Sequence, residues 1–516
     1  MSDHKRKPYS RRKFLRVAGI GVVGAASLAA CGDATSTTAP AVTTAPVAAT
    51  TAAAGTTAAT SATTAAAGTT PASATTVAGG TTAPAVISGQ GKSIKVAVLG
   101  DQTAAGRRQP LIAPFIAKYP GATVEIMPVA GATWDEYFNK LLAMKAAGNI
   151  PDVIYVATEG TQLFASKGLA EPLDEYVKKD KAALTSYFSD VHPALVEAMM
   201  YEGNLYQLPF DWNGANLYYN TAMFAEAGYS EVGADWTKDK FYEVAKKVSK
   251  KDAVYGYQWV NRVWGSWSSW MFTNNSNLLV EEKAPGGEWL WSTFYPNDVA
   301  AKNRGGGWRW TAAKANDAAN VEALDFMNQL YKEGISPSIE LGSGATLQGI
   351  FSAGKIAMTQ AGGFWVATLK AQGMAKGSYD VALMPKWKTQ RHHFGTAGYV
   401  ISKDSKNKEL AWEWLKYLTT TDAMNNELTL KELRATPVRR SLMNEARYGT
   451  DGPKNWKIFY DTLDKYPDTS PIPAPPSYLQ MRNTFTKYTG LAMAGEQTPK
   501  AALDAMQKEL EPLFKK

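Results

Sequence analysis

Cysteine is almost absent from this chain of 516 residues: a lone thiol, Cys31, cannot close a bridge within its own chain, so a small disulfide scaffold is excluded. Histidine is scarce as well. Beyond His4 there are only His192, His392 and His393, and adjacent residues on a strand point to opposite faces, so the last two make a poor metal pair. Neither G-x-S-x-G nor H-E-x-x-H occurs. An excess of one charge sign is also missing once the formal +8 is divided along the chain. Residues 1–30 hold seven Lys or Arg against Asp3 alone, a net +6, which leaves +2 for everything that follows. So nearly neutral a body has no global field to hold a polyanion, and no nucleic-acid partner is expected. The length, with 45% apolar residues, suggests two or three domains with ample core.

The charge sits in Ser10-Arg11-Arg12-Lys13-Phe14-Leu15-Arg16, ahead of the uncharged stretch Val17 to Ala30. Those 14 residues are too few to span a bilayer as a helix, which needs about 20. The segment resembles a twin-arginine export signal, and Leu28-Ala29-Ala30-Cys31 resembles a bacterial lipobox, in which the thiol is acylated and the chain is cut before it. The resemblance implies a signal peptide over 1–30 and a lipid anchor at Cys31, on the outer face of a bacterial cytoplasmic membrane. The 58 residues from Ala34 to Gly91 then carry no charge and are nearly all Ala, Thr, Ser, Pro and Gly. They bury too little apolar surface to offset their ordering entropy, so 31–91 is expected to be a disordered tether, open to O-linked sugar.

From Lys92 the pattern changes. Ile94 to Gly100 and Pro151 to Val156 predict strands, and Thr133 to Ala147 predicts a helix with Thr133 and Glu136 at capping-box spacing and Gly148 after its end. Helices are also expected over Val321 to Glu333, over Glu409 to Leu418, and after Thr498-Pro499, an N-cap followed by proline at the first helical position. Strands and helices interleaved in this way indicate an α/β protein.

Gly349 to Lys355 has the Gly and Lys spacing of a phosphate-binding loop, but Ile356 occupies the position whose hydroxyl must hold Mg²⁺. A helix ending at Gly354 with a strand after it is the better reading. Aromatic density stands out more: ten of the sixteen Trp lie between 201 and 310, and Trp264, Trp267 and Trp270 recur every third residue. Core packing would account for any one of them. The Gly, Ser and Asn around them, and Gly305-Gly306-Gly307 before Trp308, suggest loops instead, where flat rings suit the apolar face of a sugar.

The order of motifs resembles the family-1 extracellular solute-binding proteins of ABC importers, the sugar-binding group that includes maltose-binding proteins. The pieces are Gly148-Asn149-Ile150-Pro151-Asp152-Val153, Gly168 to Asp174, Gly203 to Pro209, Leu217-Tyr218-Tyr219-Asn220, Phe224 to Gly228, Phe351 to Met358, Met384-Pro385 and Lys408 to Trp412. Together they cover nearly all of 92–516. The resemblance implies a two-lobe periplasmic-binding-protein fold of type II, with crossover hinge strands and a ligand cleft between the lobes. Lobe one would comprise 92–208 plus 390–435, and lobe two 209–389 plus 436–516. It implies no enzyme, no cofactor, no metal, and a monomer that binds carbohydrate and docks on the transmembrane subunits of a permease.

Carried over by motif, the cleft would receive Asp101 and Gln102 after the first strand, Glu159, and Asp211, Trp212 and Asn213 on the first crossover. Lobe two would add Gly363, Phe364 and Trp365, with Trp365 as the stacking aromatic. Gly398 and Arg434 complete the set, and Trp264, Trp267 and Trp308 are the candidates from the Trp-rich stretch. Trp134 is expected in a helix core, with no ligand role. Oligosaccharide is the expected ligand, with a polyol, a glycerol phosphodiester or a quaternary amine as rivals; few uncommitted basic residues neighbour the motifs, which disfavours phosphate. A secreted hydrolase would need two paired carboxylates, and a surface adhesin would more often show repeated β modules, of which there is no sign.

Overall fold

The computed structural model describes residue 89 and residues 91–515, apart from 234–235, 340–343 and 430–431. The expected leader, Cys31 and all of the tether except Gly89 and Gly91 lie outside the described residues.

In chain order the strands are β1 (Ser93–Leu99), β2 (Thr123–Val129), β3 (Val153–Ala157), β4 (Met200–Tyr201), β5 (Asn204–Leu205), β6 (Leu208–Gly214), β7 (Asn216–Asn220) and β8 (Tyr255–Gln258). Then come β9 (Leu279–Lys283), β10 (Trp308–Ala313), β11 (Ile356–Ala361), β12 (Tyr379–Ala382), β13 (His393–Ile401), β14 (Thr436–Pro437) and β15 (Ser470–Pro471). Two sheets organise them. The first runs β14-β6-β13-β3-β1-β2 with β15 also on β13, and the second runs β12-β7-β11-β8. Period-2 alternation gives each sheet two buried faces. On β1, Ile94, Val96 and Val98 enter one apolar cluster and Ala97 another. On β7, Leu217 and Tyr219 face one side and Tyr218 the other.

Only Ala215 separates β6 in the first sheet from β7 in the second, so the chain crosses between the lobes in a single extended run. β13 returns to the first sheet and pairs antiparallel with β6 from Phe394–Gly214 to Tyr399–Leu208. These two strands form the hinge, and β3 ends beside β13 with β1 next to it. Side chains at strand ends next to a crossover are where open α/β sheets leave a crevice.

Local signals hold the helices in place. Thr133 caps Trp134–Ala146 through its hydroxyl on the Glu136 amide, and Glu136 reaches back to the Ala132 amide at 2.9 Å. Thr498 caps Pro499–Leu510 in the same way. The phosphate-loop lookalike is a helix, Gly344–Ser352, a left-handed Gly354 at φ +66° and then β11.

The Trp-rich stretch is packed, which corrects the expectation that its small neighbours mark loops. Trp267–Thr273 is a helix whose seven residues are all buried. Trp267 stacks on Phe485 at 5.3 Å and 6° and donates to the Thr489 hydroxyl, and Trp270 meets Phe241, Tyr257 and Phe326 edge-on. The hairpin β9–β10 leaves this core at Leu279 and returns to it at Trp310, but between them Leu290, Trp291, Phe294 and Tyr295 enter the main cluster of the first sheet. Glu197, fully buried beside that sheet, accepts from Lys283 Nζ at 2.6 Å, Arg304 at 2.8 Å and the Gly305 amide at 2.9 Å. Residues 279–313 are thus a strap rooted in one lobe and pinned to the other.

Candidate functional site

Two of the cavities among the described residues have volumes of about 430 Å³ each. One lies beside the first sheet, lined by Glu413, Lys416 and Arg439 among others, and these three are already paired: Lys416 with Asp180 and Glu413, Arg439 with Asp190. The other lies at the hinge and draws on both lobes, which is where a ligand could hold them together; we place the site there.

The first lobe contributes Leu99 from the end of β1, Arg107 and Arg108 after the helix Gln102–Gly106, Trp134 and Asp135 from the start of their helix, and Tyr155 and Glu159 at the end of β3. The crossover strands supply the floor, with Asp211 and Asn213 from β6 and Gly395 to Ala397 from β13. Thr158 and Thr396 fix that floor, because each backbone or hydroxyl donor finds the other residue at 2.8 Å. Opposite stand Arg262, Trp264, Phe364, Tyr478 and Arg482, with Glu427 and Arg434 at one corner.

Two carboxyls in this cavity are held near neutrality. Burial pushes Glu159 up to about 7, helped by the charge of Asp135 and opposed by Arg262. Burial likewise pushes Asp211 up to about 7, against the Tyr155 hydroxyl that donates to it and the nearby Arg108. Arg108 bonds the Tyr399 hydroxyl at 3.2 Å, lies 5.2 Å above the Tyr155 ring and pairs with Glu427 at 3.6 Å. Arg482 pairs with Asp135 at 2.7 Å. Arg262 donates to the Trp264 carbonyl at 2.8 Å and covers the indole at 5.1 Å. Two indoles, Trp134 near Tyr155 at 5.5 Å and Trp264 near Phe364 at 5.8 Å, thus stand in one cavity with carboxyl and guanidinium groups between them.

Of the fourteen ligand residues expected from sequence, Glu159, Asp211, Asn213, Trp264, Phe364 and Arg434 line this cavity. The others do not. Asp101 accepts from the Ala104 amide at 3.1 Å as a helix N-cap, and that bond holds its carboxyl below the usual range; Gln102 follows it, exposed. Trp365 turns inward to pack on Tyr218 and Phe351 because it opens the helix Trp365–Ala371, leaving Phe364 before it at the cavity. Trp212 is buried against Phe394 and Tyr460, Trp267 against Phe485, and Trp308 lies on Trp310 in the strap. Gly363 and Gly398 serve close packing: a Cβ on either would stand 2.3 Å from Thr436 Oγ1 or the Leu208 carbonyl. Sequence reasoning placed Trp134 in a helix core, where it does pack on Tyr137 and Phe138, but not at the cavity that it also lines, although its place just after an N-cap and a strand is a legible sign of a helix end beside a crevice. It also missed Arg107, Arg108, Arg262 and Arg482, which come from three separate segments and carry no shared motif.

The model of the bacterial extracellular solute-binding protein family matches residues 100–425, and the chain belongs to that family. The lactose-binding protein of Rhizobium radiobacter is 24% identical over 365 residues, 68% of this chain and 78% of that protein. The galactooligosaccharide-binding protein of Bacillus subtilis is 23% identical over 310 residues, 58% and 63% of the two chains. Among solved structures, an ABC transporter solute-binding protein from Thermotoga lettingae TMO bound with α-D-tagatose superposes with a TM-score of 0.66 at 23% identity, covering 82% of this chain and all of that one. Maltose-bound MalE3 of T. maritima gives 0.64 at 20% identity, covering 82% and 99%. The fold is accordingly the two-lobed, type II arrangement of periplasmic binding proteins.

Proposed function

We propose that the chain captures a carbohydrate, an oligosaccharide before a monosaccharide, in the hinge cavity and delivers it to the transmembrane subunits of an ABC importer. The observation that carries this reading is the pair of indoles, Trp134 and Trp264, presented by opposite lobes to one cavity that also holds the buried carboxyls of Glu159 and Asp211. Flat rings cover the apolar C–H faces of a sugar while the polar groups take its hydroxyls. The relatives named for lactose and galactooligosaccharide support the same class. Binding needs no bond chemistry: a ligand that touches both lobes favours the closed form by its differential affinity.

The division into 92–208 plus 390–435 against 209–389 plus 436–516 belongs to this proposal, with β6, β14 and β15 of the second group joining the first sheet at the crossover, as does a monomer working without a cofactor. Export by the twin-arginine leader and anchoring through acylated Cys31 would keep the binding protein beside its permease. A Cys31→Ala chain that still took up lipid label would refute the anchor. The function itself is tested by thermal shift of the full-length chain against a panel of sugars: a ligand at 100 times its Kd adds about 2.7 kcal/mol. A flat response across the panel would remove the carbohydrate reading, and turnover of a sugar would put a hydrolase in its place.

A further inference from the structure

The charged groups of the hinge cavity are not evenly matched. Toward Trp264, Arg262 faces Glu159 and Arg482 is paired with Asp135, two cations for two carboxyls. At the other corner three guanidinium groups surround one carboxylate: Arg108 reaches Glu427 at 3.6 Å, Arg434 at 4.0 Å, and Arg107 acts on it from farther away. Arg434 also has Glu432 at 3.6 Å, but that carboxylate is mostly exposed and turned to solvent. The remaining acid at this corner, Asp211, is occupied by the Tyr155 hydroxyl, and burial pushes it and Glu159 alike toward the neutral form, so what sets this corner apart is Arg107, a cation of the cavity lining. Arg107 makes no ion pair with any described residue, and it is exposed. Arg108 and Arg434 are mostly buried, with side chains 11% and 16% exposed, so their charge is poorly screened by water.

Resting on the carbohydrate reading above, we infer that the ligand is an acidic saccharide, whose carboxylate or phosphate ester is held at the corner formed by Arg107, Arg108 and Arg434. A planar guanidinium fork matches either anion. A neutral sugar would leave this corner with an uncompensated excess of positive charge, whereas an anionic substituent there completes it. The corner around Arg262 and Glu159 then takes hydroxyls, with Trp264 under the ring.

The test is calorimetric titration of the full-length chain with matched sugars: glucose against glucuronic acid and glucose 6-phosphate, and galactobiose against digalacturonic acid. The acidic member of at least one pair should bind about tenfold or more tightly than its neutral partner, the difference that one charge-assisted contact supplies. The two arms decide between carboxylate and phosphate. Because Arg107 is exposed and unpaired, Arg107→Gln should leave unliganded melting unchanged and narrow the acidic preference about tenfold. Neutral sugars that bind as tightly as every acidic partner, or an acidic preference that survives Arg107→Gln intact, would overturn the inference and leave the proposed function standing. Silence from every saccharide would overturn both.

Discussion

The Trp-rich stretch and the hinge cavity both concentrate residue types that bind sugars, but their charged groups are in different states. In the stretch, Trp267 has Phe485 beneath it and Thr489 on its indole nitrogen, Trp291 donates to the Gly305 carbonyl, and the buried acid that the strap reaches, Glu197, has three donors. Its rings pack on one another and its buried charges are paired, although the indole nitrogens of Trp259, Trp308 and Trp310 are buried without a partner among the described residues. In the cavity, Trp264 has one edge on Phe364 and one side toward the cavity, Glu159 has no ion pair within 4 Å among the described residues, and three arginines share Glu427. Density of aromatic residues therefore marks packing in one region, and charged groups with incomplete partners mark the binding site in the other.

Substitutions in the two regions should separate these roles. Trp267→Ala removes a fully buried indole from the second lobe and should cost about 3–5 kcal/mol in urea unfolding; a loss below about 1 kcal/mol would mean the ring is not core. Glu197→Gln leaves Lys283 and Arg304 facing a neutral amide in a buried place, so about 3 kcal/mol of stability should be lost, and protease should reach the strap around Gly305 first. Unchanged stability would show that the strap is held by its apolar residues alone.

Asp211→Asn should act in the opposite direction and with pH. The folded carboxyl titrates near 7 and the unfolded one near the usual ~3.9, so the folded state binds more protons in that window and the residue's contribution to stability falls as pH rises through it. The amide keeps an acceptor for the Tyr155 hydroxyl and does not ionise. Its advantage over the unmodified chain should therefore grow by about 2.5 kcal/mol between pH 5 and pH 8, read from paired unfolding curves. Parallel curves would mean that Asp211 is ionised throughout.

Much of the fold was legible because its signals are local. Thr133 and Thr498 cap the helices they precede, and Gly334 and Gly354 take positive φ where the helices before them end. The motif order carried the two-lobed arrangement, since each short piece keeps its place along the chain. The site was legible only in part. Phe364 and Trp365 are neighbours, and a helix starting between them sends one ring to the cavity and the other to the core, a choice no motif encodes. Trp264 and Trp267 divide in the same way across one helix start. The arginines come from distant segments, and only the crossing of β6 and β13 brings them to one place.

The most direct test compares Trp264→Ala and Trp365→Ala with the unmodified full-length chain, by calorimetric titration with the tightest saccharide found. The account predicts one site per chain, an affinity loss of roughly 10- to 30-fold for Trp264→Ala, and affinity within about threefold of the unmodified chain for Trp365→Ala despite its lower melting temperature. Equal affinity in Trp264→Ala, or a larger loss in Trp365→Ala with the fold intact, would contradict it.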